Sequence, residues 1–275
     1  MRYTQEHMAR QRLGQHFLAD ADWQEQIARA IQVSRYAMAP ISAKNYCWIE
    51  IGAGHGEMTE HLAATGAPVY ALEIDAHLGD ELRHLSKQHR NTTVIQGDAL
   101  EADLATLAAG RRVRVYGNLP YYITSPILHR LFSFHELIDE IHIVIQTEVA
   151  LRLAAQPGTK AYGYLSVVTQ LHSRPEFVFE IPKEAFSPPP EVTSALVTLR
   201  LPGERSKLAL DDEGKFLDFV KLCFAQKRKN LLNNLRTLAP PAMVREKLTG
   251  LGLRPDARGE QLSPAELAAL YQCLA

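Results

Sequence analysis

Trp48 to Leu62 read WIEIGAGHGEMTEHL: a short apolar run, then glycines at 52, 54 and 56, then an amphipathic stretch. The run suits a buried strand and the stretch a helix, so the glycines mark a sharp strand-to-helix turn whose backbone can approach a ligand closely. A glycine triplet alone leaves a plain tight turn as good a reading as a binding loop. The neighbouring residues narrow it. A dinucleotide fingerprint is GxGxxG, whereas this one is GxGxG, and Glu50 stands two residues before the first glycine, where it would repel a pyrophosphate. A cationic ligand fits better.

Outward from this loop, apolar runs of four to seven residues alternate with amphipathic stretches between Tyr46 and about Arg200. YCWIEI, PVYALEI, TTVIQ, RVRVY, EIHIVIQ and ALVTLR read as strands, with helical patterns such as AHLGDELRHLSKQHR between the earlier ones. Such alternation predicts an α/β fold with a mostly parallel sheet. SRPEFVFEIPKEAF and EVTSALVTLR flank SPPP and predict an antiparallel edge pair joined by a stiff connector. Apolar density falls between Leu201 and Gly214, which predicts a boundary dividing 1–202 from a wholly helical 203–275. KFLDFVKLCFAQKRKNLLNNLRTL reads as one helix, and Ser263 with Glu266 as a capping box.

Bulk properties exclude several classes. Thirty basic against 31 acidic residues give a net charge of -1, so only a local cluster can signal a polyanion. Cys47, Cys223 and Cys273 lack any CxxC spacing and read as core thiols, with no disulfide framework and no metal site. No stretch has the length of a membrane span and none reads as a signal peptide, so a cytoplasmic protein, by default a monomer, is expected.

The second strand ends in Glu73, 21 residues after Gly52, where a carboxylate can accept from both hydroxyls of a ribose. The third ends VIQGDAL, placing Asp98 on the same rim, suited to an adenine amino group. Glycine loop, Glu73 and Asp98 together resemble the class I S-adenosylmethionine-dependent methyltransferases, whose sulfonium would also explain Glu50. That resemblance implies a Rossmann-like sheet of seven strands, and S-adenosylmethionine held by Gly52, Gly54, Gly56, Glu73 and Asp98.

At the fourth strand end stands GNLPYYITSPI, Gly117 to Ile127. In that fold it lies beside the transferred methyl. The exocyclic amine of adenine is a poor nucleophile because its lone pair is delocalised into the ring. Acceptors from Asn118 (side chain) and Pro120 (backbone) would each take an amine hydrogen and free that lone pair, while Tyr121 offers a stacking face. Tyr122 is expected to pack inward. Phe186, before SPPP, reads equally as a second platform for the base and as a core residue.

RLGQHFLAD, EIGAGHGEMT, GNLPYYITSPIL, QTEVALRL, AFSPPPEVTSALV and FVKLCFAQKRKNLLNNL, in this order, resemble the ribosomal RNA adenine dimethylases of the KsgA family over nearly the whole chain. This implies dimethylation of two adjacent adenosines in the 3'-terminal hairpin of 16S rRNA in an immature small subunit. It also implies cofactor contacts at His16 and Leu18, where the family usually has asparagine and leucine; a second departure is Thr147 in place of a usual lysine. Lys221, Arg228, Lys229 and Arg236 would form a basic arc on the long helix, an RNA-binding face, with Arg10 and Arg12 adding contacts. Rival readings are a large-subunit adenine methylase, a non-catalytic assembly factor and, weakened by the glycine spacing, a dehydrogenase.

Overall fold

The computed structural model describes residues 15–31 and 45–274; Arg10 and Arg12 lie outside them. Its strands are β1 (Phe17–Leu18), β2 (Tyr46–Ile51), β3 (Val69–Glu73), β4 (Thr92–Gln96), β5 (Arg112–Asn118), β6 (Ile138–Gln146), β7 (Arg174–Ile181), β8 (Phe186–Ser187) and β9 (Ser194–Arg200). Seven of them form one sheet in the order β4-β3-β2-β5-β6-β9-β7. Pairing is parallel from β4 through β6, and β9 runs antiparallel to β6. β1 and β8 form a separate antiparallel pair that sequence reading did not anticipate.

Register brings the candidate site residues to one rim. Ile51 pairs with Leu72 and with Gly117, and Glu73 with Gln96, so Gly52, Glu73, Asp98 and Asn118 all follow from the carboxyl ends of neighbouring parallel strands. A slip of one residue would turn every buried side chain to the opposite face. Polar pairing adds to this: Arg114 on β5, Glu140 on β6 and Arg200 on β9 are register neighbours. Arg114 Nε and Arg200 Nε lie 3.7 and 3.3 Å from the Glu140 carboxylate. With the His142 ring and both guanidiniums beside it, that carboxyl titrates at about 2.

The helices joining these strands are short. α1 is Ala21–Ile31, α2 Glu57–Ala63, α3 Ala76–Ser86, α4 Leu104–Ala108, α5 Thr124–Phe132, α6 Thr147–Leu153 and α7 Tyr164–His172. Asp75 and Asp103 cap α3 and α4 by accepting backbone N–H bonds. Thr147, which opens α6, meets the Thr193 hydroxyl at 3.0 Å.

The chain forms two compact units: one holds residues through Ala150 with Glu176–Arg200, the other Leu151–Pro175 with everything from Leu201 onward. The boundary near residue 200 falls where composition changes, but Leu151–Pro175 joins the helical unit, not the 1–202 segment. Its helix α7 buries Val167 and Leu171 among Phe216, Val220 and Leu267. Gly203 lies so close to the end of α7 that a Cβ there would stand 2.3 Å from the Ser173 nitrogen.

In the second unit the long basic helix is replaced by two. α8 (Glu213–Cys223) stops, 224–230 turn, and α9 (Leu231–Asn234) begins anew; α10 (Pro241–Gly250) and α11 (Pro264–Leu274) follow. Three contacts impose the break. Asn230 caps α9 through the Asn233 N–H, Asn234 Nδ2 donates to the Cys223 carbonyl at 2.8 Å, and Gly259 packs on that same carbonyl. The Ser263–Glu266 capping box is present, with Ser263 N–H donating to Glu266 at 2.8 Å and Glu266 N–H to the Ser263 hydroxyl at 3.3 Å. Cys47 and Cys223 are core thiols, but Cys273 is exposed: its neighbours Leu267, Ala268 and Leu270 supply the buried side of α11. No helix among the described residues is long and apolar enough to cross a membrane.

Gly117 of β5 pairs with Ile51 of β2, and a Cβ there would meet Leu119 Cδ2 at 2.7 Å and the Ile51 carbonyl oxygen at 3.2 Å. Gly117→Ala is therefore expected to destabilise the fold by about 1–3 kcal/mol, the usual range for overpacking, as a lower midpoint in urea unfolding. An unchanged midpoint would show that the two strands can part without cost.

Candidate active site

Two hollows open at the carboxyl ends of β2 to β5 and share Gln15, Gly52, Glu73 and Pro120. The first adds His16, Phe17, Asn118, Leu119 and Tyr121. The second adds Asp98, Tyr122 and an apolar floor including Ile51, Leu72 and Ile127.

The glycine loop owes its shape to conformation and to crowding. Gly52, Gly54 and Gly56 have φ of 69°, 60° and 92°. A Cβ on Gly54 would also press on the Phe17 ring at 3.0 Å, and one on Gly56 on Leu82 at 3.1 Å, whereas one on Gly52 would meet only the Asn118 carbonyl oxygen, at an unstrained 3.9 Å. Gly52 thus leaves room for a ligand.

The three carboxyls have three different environments. Glu73 is 2% exposed; its Oε2 accepts the Gly54 N–H at 2.9 Å and its Oε1 the Asp75 N–H at 3.0 Å. Burial raises its pKa, while those N–H bonds oppose the rise. A carboxylate has about four lone-pair sites, so Glu73 can hold the loop and still accept from a diol. Asp98 is half-buried and accepts the Leu100 N–H through Oδ1 at 2.9 Å. Glu50 does not line either hollow. It is buried against α2, accepts the Thr59 hydroxyl at 2.5 Å, and burial pushes its pKa to about 8. Its acid is accommodated by protonation, not by a facing cation.

Asn118 donates from Nδ2 to the His16 carbonyl oxygen at 2.8 Å. That oxygen can only accept, which assigns the amide: Nδ2 faces His16 and Oδ1 is the free acceptor. The Leu119 N–H continues the ladder to the Val144 carbonyl at 3.0 Å, and Leu119 itself is buried. The Pro120 carbonyl accepts the Ile123 N–H at 3.2 Å and the Thr124 hydroxyl at 3.4 Å, an occupation not foreseen from sequence. Both bonds are long, and the hydroxyl can rotate away. Tyr121 is half-buried, its hydroxyl 3.1 Å from Ser194 Oγ and its pKa raised by burial.

Several expected roles change. Phe186 is 3% exposed, pairs with Leu18 and packs with Ile181 and Leu196, so neither face of its ring is open to a base. Leu18 is core for the same reason; Phe17 lines the hollow in its place. Tyr122 does not pack inward but is 64% exposed at the second hollow. His16 places its ring 5.7 Å from that of Tyr121. Gln15, which sequence reading missed, lines both hollows with its Oε1 buried and without a hydrogen-bond partner among the described residues.

The profile of the ribosomal RNA adenine dimethylase family matches residues 6–275. The chain belongs to that family. It is 40% identical over 273 residues to a ribosomal RNA small subunit methyltransferase A of Koribacter versatilis, covering 94% of this chain and 92% of that protein. The protein of the same name in Caldanaerobacter subterraneus is 36% identical over 271 residues, covering 97% of each. Among solved structures, that of the 23S rRNA methyltransferase ErmE superposes with a TM-score of 0.69 at 27% identity, over 94% of this chain and 99% of that one. Membership makes the chain an enzyme of the methyltransferase class, and the rim described above its active-site candidate.

Basic residues gather separately, in the helical unit. Arg228 and Lys229 line a hollow with Asn230, Asn233, Arg254 and Arg258, and also with Asp256, which pairs with Arg254 at 2.8 Å, and Glu260, 3.9 Å from Arg258. Lys221 and Arg236 do not, because the helix that would have aligned them is broken: Lys221 pairs with Asp218 at 2.9 Å, and Arg236 is exposed elsewhere.

For Glu50 the pH dependence has a definite sign. Its folded pKa of about 8 exceeds the ordinary 4.5, so folding binds a proton. Its favourable contribution is complete below the unfolded value and is lost as pH rises through 8. Glu50→Gln should melt close to the parent at pH 4.5 and increasingly above it up to pH 8.5, by circular dichroism; a gap that shrinks with rising pH would reverse the assignment.

Proposed function

We propose that the chain transfers methyl groups from S-adenosylmethionine to the N6 amines of two adjacent adenosines in the 3'-terminal hairpin of 16S rRNA, acting on an immature small subunit. One observation carries the choice of cofactor and amine: among the described residues, the two hollows are lined by acceptors and apolar groups, with no lysine or arginine. A phosphate-bearing cofactor would meet no cation there. An ammonium, a ribose diol and an adenine amino group are donors, and the free acceptors match them: Gln15 Oε1, Glu73, Asp98 and Asn118 Oδ1.

The cofactor supplies a methyl group activated by its sulfonium. Gln15 and the space beside Gly52, which has no side chain, would receive the amino acid end, Glu73 the ribose and Asp98 the adenine. For the target base, Asn118 Oδ1 accepts one amine hydrogen. The Pro120 carbonyl accepts the other once the Thr124 hydroxyl turns aside. Both bonds draw the nitrogen toward a tetrahedral geometry with its lone pair exposed, and they do so in a half-buried site where they are stronger than in water. Tyr121 gives the unstacked base a face.

The small-subunit target is favoured over a large-subunit one because relatives named for the small subunit reach 36–40% identity over nearly full length, against 27% for ErmE. RNA would be held through phosphates by Arg228 and Lys229, in the compartment where ribosomes assemble.

Incubation with labelled S-adenosylmethionine and immature small subunits, followed by mapping of the modified bases, should give N6,N6-dimethyladenosine at adjacent positions near the RNA 3' end; label confined to 23S RNA would overturn the choice of target. Asn118→Ala should lose about 10²–10³-fold in transfer while keeping S-adenosylhomocysteine affinity by calorimetry. Arg228→Ala with Lys229→Ala should reduce the salt slope of RNA binding by about 2. An unaltered slope would remove that hollow from the RNA path.

A further inference from the structure

His16 lines the first hollow, and its carbonyl holds Asn118, yet its imidazole has no part in the chemistry described so far. Its Nδ1 lies 2.8 Å from the Pro188 carbonyl oxygen. A carbonyl oxygen only accepts, so Nδ1 carries the hydrogen of that bond, and in the neutral ring Nε2 keeps its lone pair. A backbone acceptor thereby selects the tautomer that leaves Nε2 basic. The ring also lies 5.7 Å from the Tyr121 ring at an interplanar angle of 31°, so the two are neighbours along one wall of the notch.

Among the described residues the other ionisable groups lining this hollow are Glu73 and Tyr121. Glu73 accepts two backbone N–H bonds and is assigned to the ribose, and Tyr121 is a neutral phenol bonded to Ser194. Among the described residues no lysine or arginine lines it. His16 is thus the neutral nitrogen base beside the acceptors of Asn118 and Pro120.

We propose that His16 Nε2 takes the proton released from the adenine nitrogen during methyl transfer. This rests on reading the notch as the amine site. The N6 lone pair forms a bond to the methyl carbon, and the bond from that carbon to sulfur breaks with its electron pair left on sulfur. The nitrogen then carries one hydrogen too many. The lone pair on Nε2 takes that proton, the N–H electrons return to nitrogen, and the imidazolium passes the proton to solvent. Each dimethylated adenosine requires the step twice. An asparagine at this position could accept a hydrogen bond but not a proton.

The test compares the parent with His16→Asn and His16→Gln in single-turnover methyl transfer to immature subunits from pH 5 to 9. Calorimetry with S-adenosylhomocysteine and ¹⁵N spectra of histidine-labelled protein accompany it. The parent should lose rate on the acid side and show the Nδ1–H tautomer. Both variants should lack that acid limb and run about tenfold slower at pH 8, less than the usual contribution of about 10²–10⁴-fold from acid–base catalysis because water can substitute. Their affinity for S-adenosylhomocysteine should stay within twofold of the parent's. An acid limb retained in His16→Asn, or an Nε2–H tautomer in the parent, would overturn the role. So would slower transfer explained entirely by weaker S-adenosylhomocysteine binding. If the parent itself methylates no adenosine, the reading of the site falls with it; if the parent transfers and the limb persists, only His16 loses its part.

Discussion

A single hydrogen bond, from Asn118 Nδ2 to the carbonyl oxygen of His16, links a segment near the N-terminus to the end of β5 and decides which way the amide faces. Rotating that amide would set carbonyl against carbonyl and present an amine where an acceptor is needed. The bond uses the backbone of residue 16, so the family's usual asparagine and the histidine found here serve it equally. What differs is the side chain, which in this chain reaches the Pro188 carbonyl and lies along Tyr121. Segment, strand end and proline connector are thereby tied at one place, although they are separated by about a hundred residues and more.

The sheet reaches that place by strict register. Gly117 is what allows β5 to lie tight against Ile51 before the chain turns at Asn118 and Leu119. Neighbouring strands deliver their acids to the same rim, but burial then assigns them different work. Glu50, one residue before the end of β2, is sealed under Thr59 and neutralised by its own burial. Glu73 stays at the opening because two backbone N–H groups compensate its charge, and in doing so it fixes the loop at Gly54. Asp98 is farther out and half-exposed. A run of sequence shows three carboxyls near three strand ends; only the packing shows that one of them is spent on the interior.

Much of the architecture was legible because it rests on local signals. Apolar runs gave the strands, the GxGxG spacing gave the loop, and the NLPY stretch gave the notch. What was not legible depends on contacts between distant segments. The basic run from Lys221 to Arg236 has helical composition throughout, yet Asn230, Asn234 and Gly259 close a turn inside it, and Gly259 lies far along the chain. Leu151–Pro175 has an apolar helix that serves equally well under either unit, and its partners Phe216 and Leu267 come much later. Phe186 and Tyr122 illustrate the same limit from opposite sides: pairing with Leu18 buries the first, while the second stands out at the Asp98 hollow.

Acceptors without cations are a coherent solution to the chemistry proposed for this rim. An adenine amine gives up electron density only if its hydrogens are drawn away from the ring plane, so neutral or anionic oxygen is useful beside it and positive charge is not. The same composition suits a sulfonium donor, which lysine or arginine would repel. RNA makes the opposite demand, since its phosphates call for guanidinium and ammonium groups. The hollows at the strand ends carry no lysine or arginine among the described residues, while Arg228 and Lys229 line a hollow of the helical unit together with Arg254, Arg258, Asp256 and Glu260. In a chain of 30 basic and 31 acidic residues the net charge of -1 cannot register such local differences.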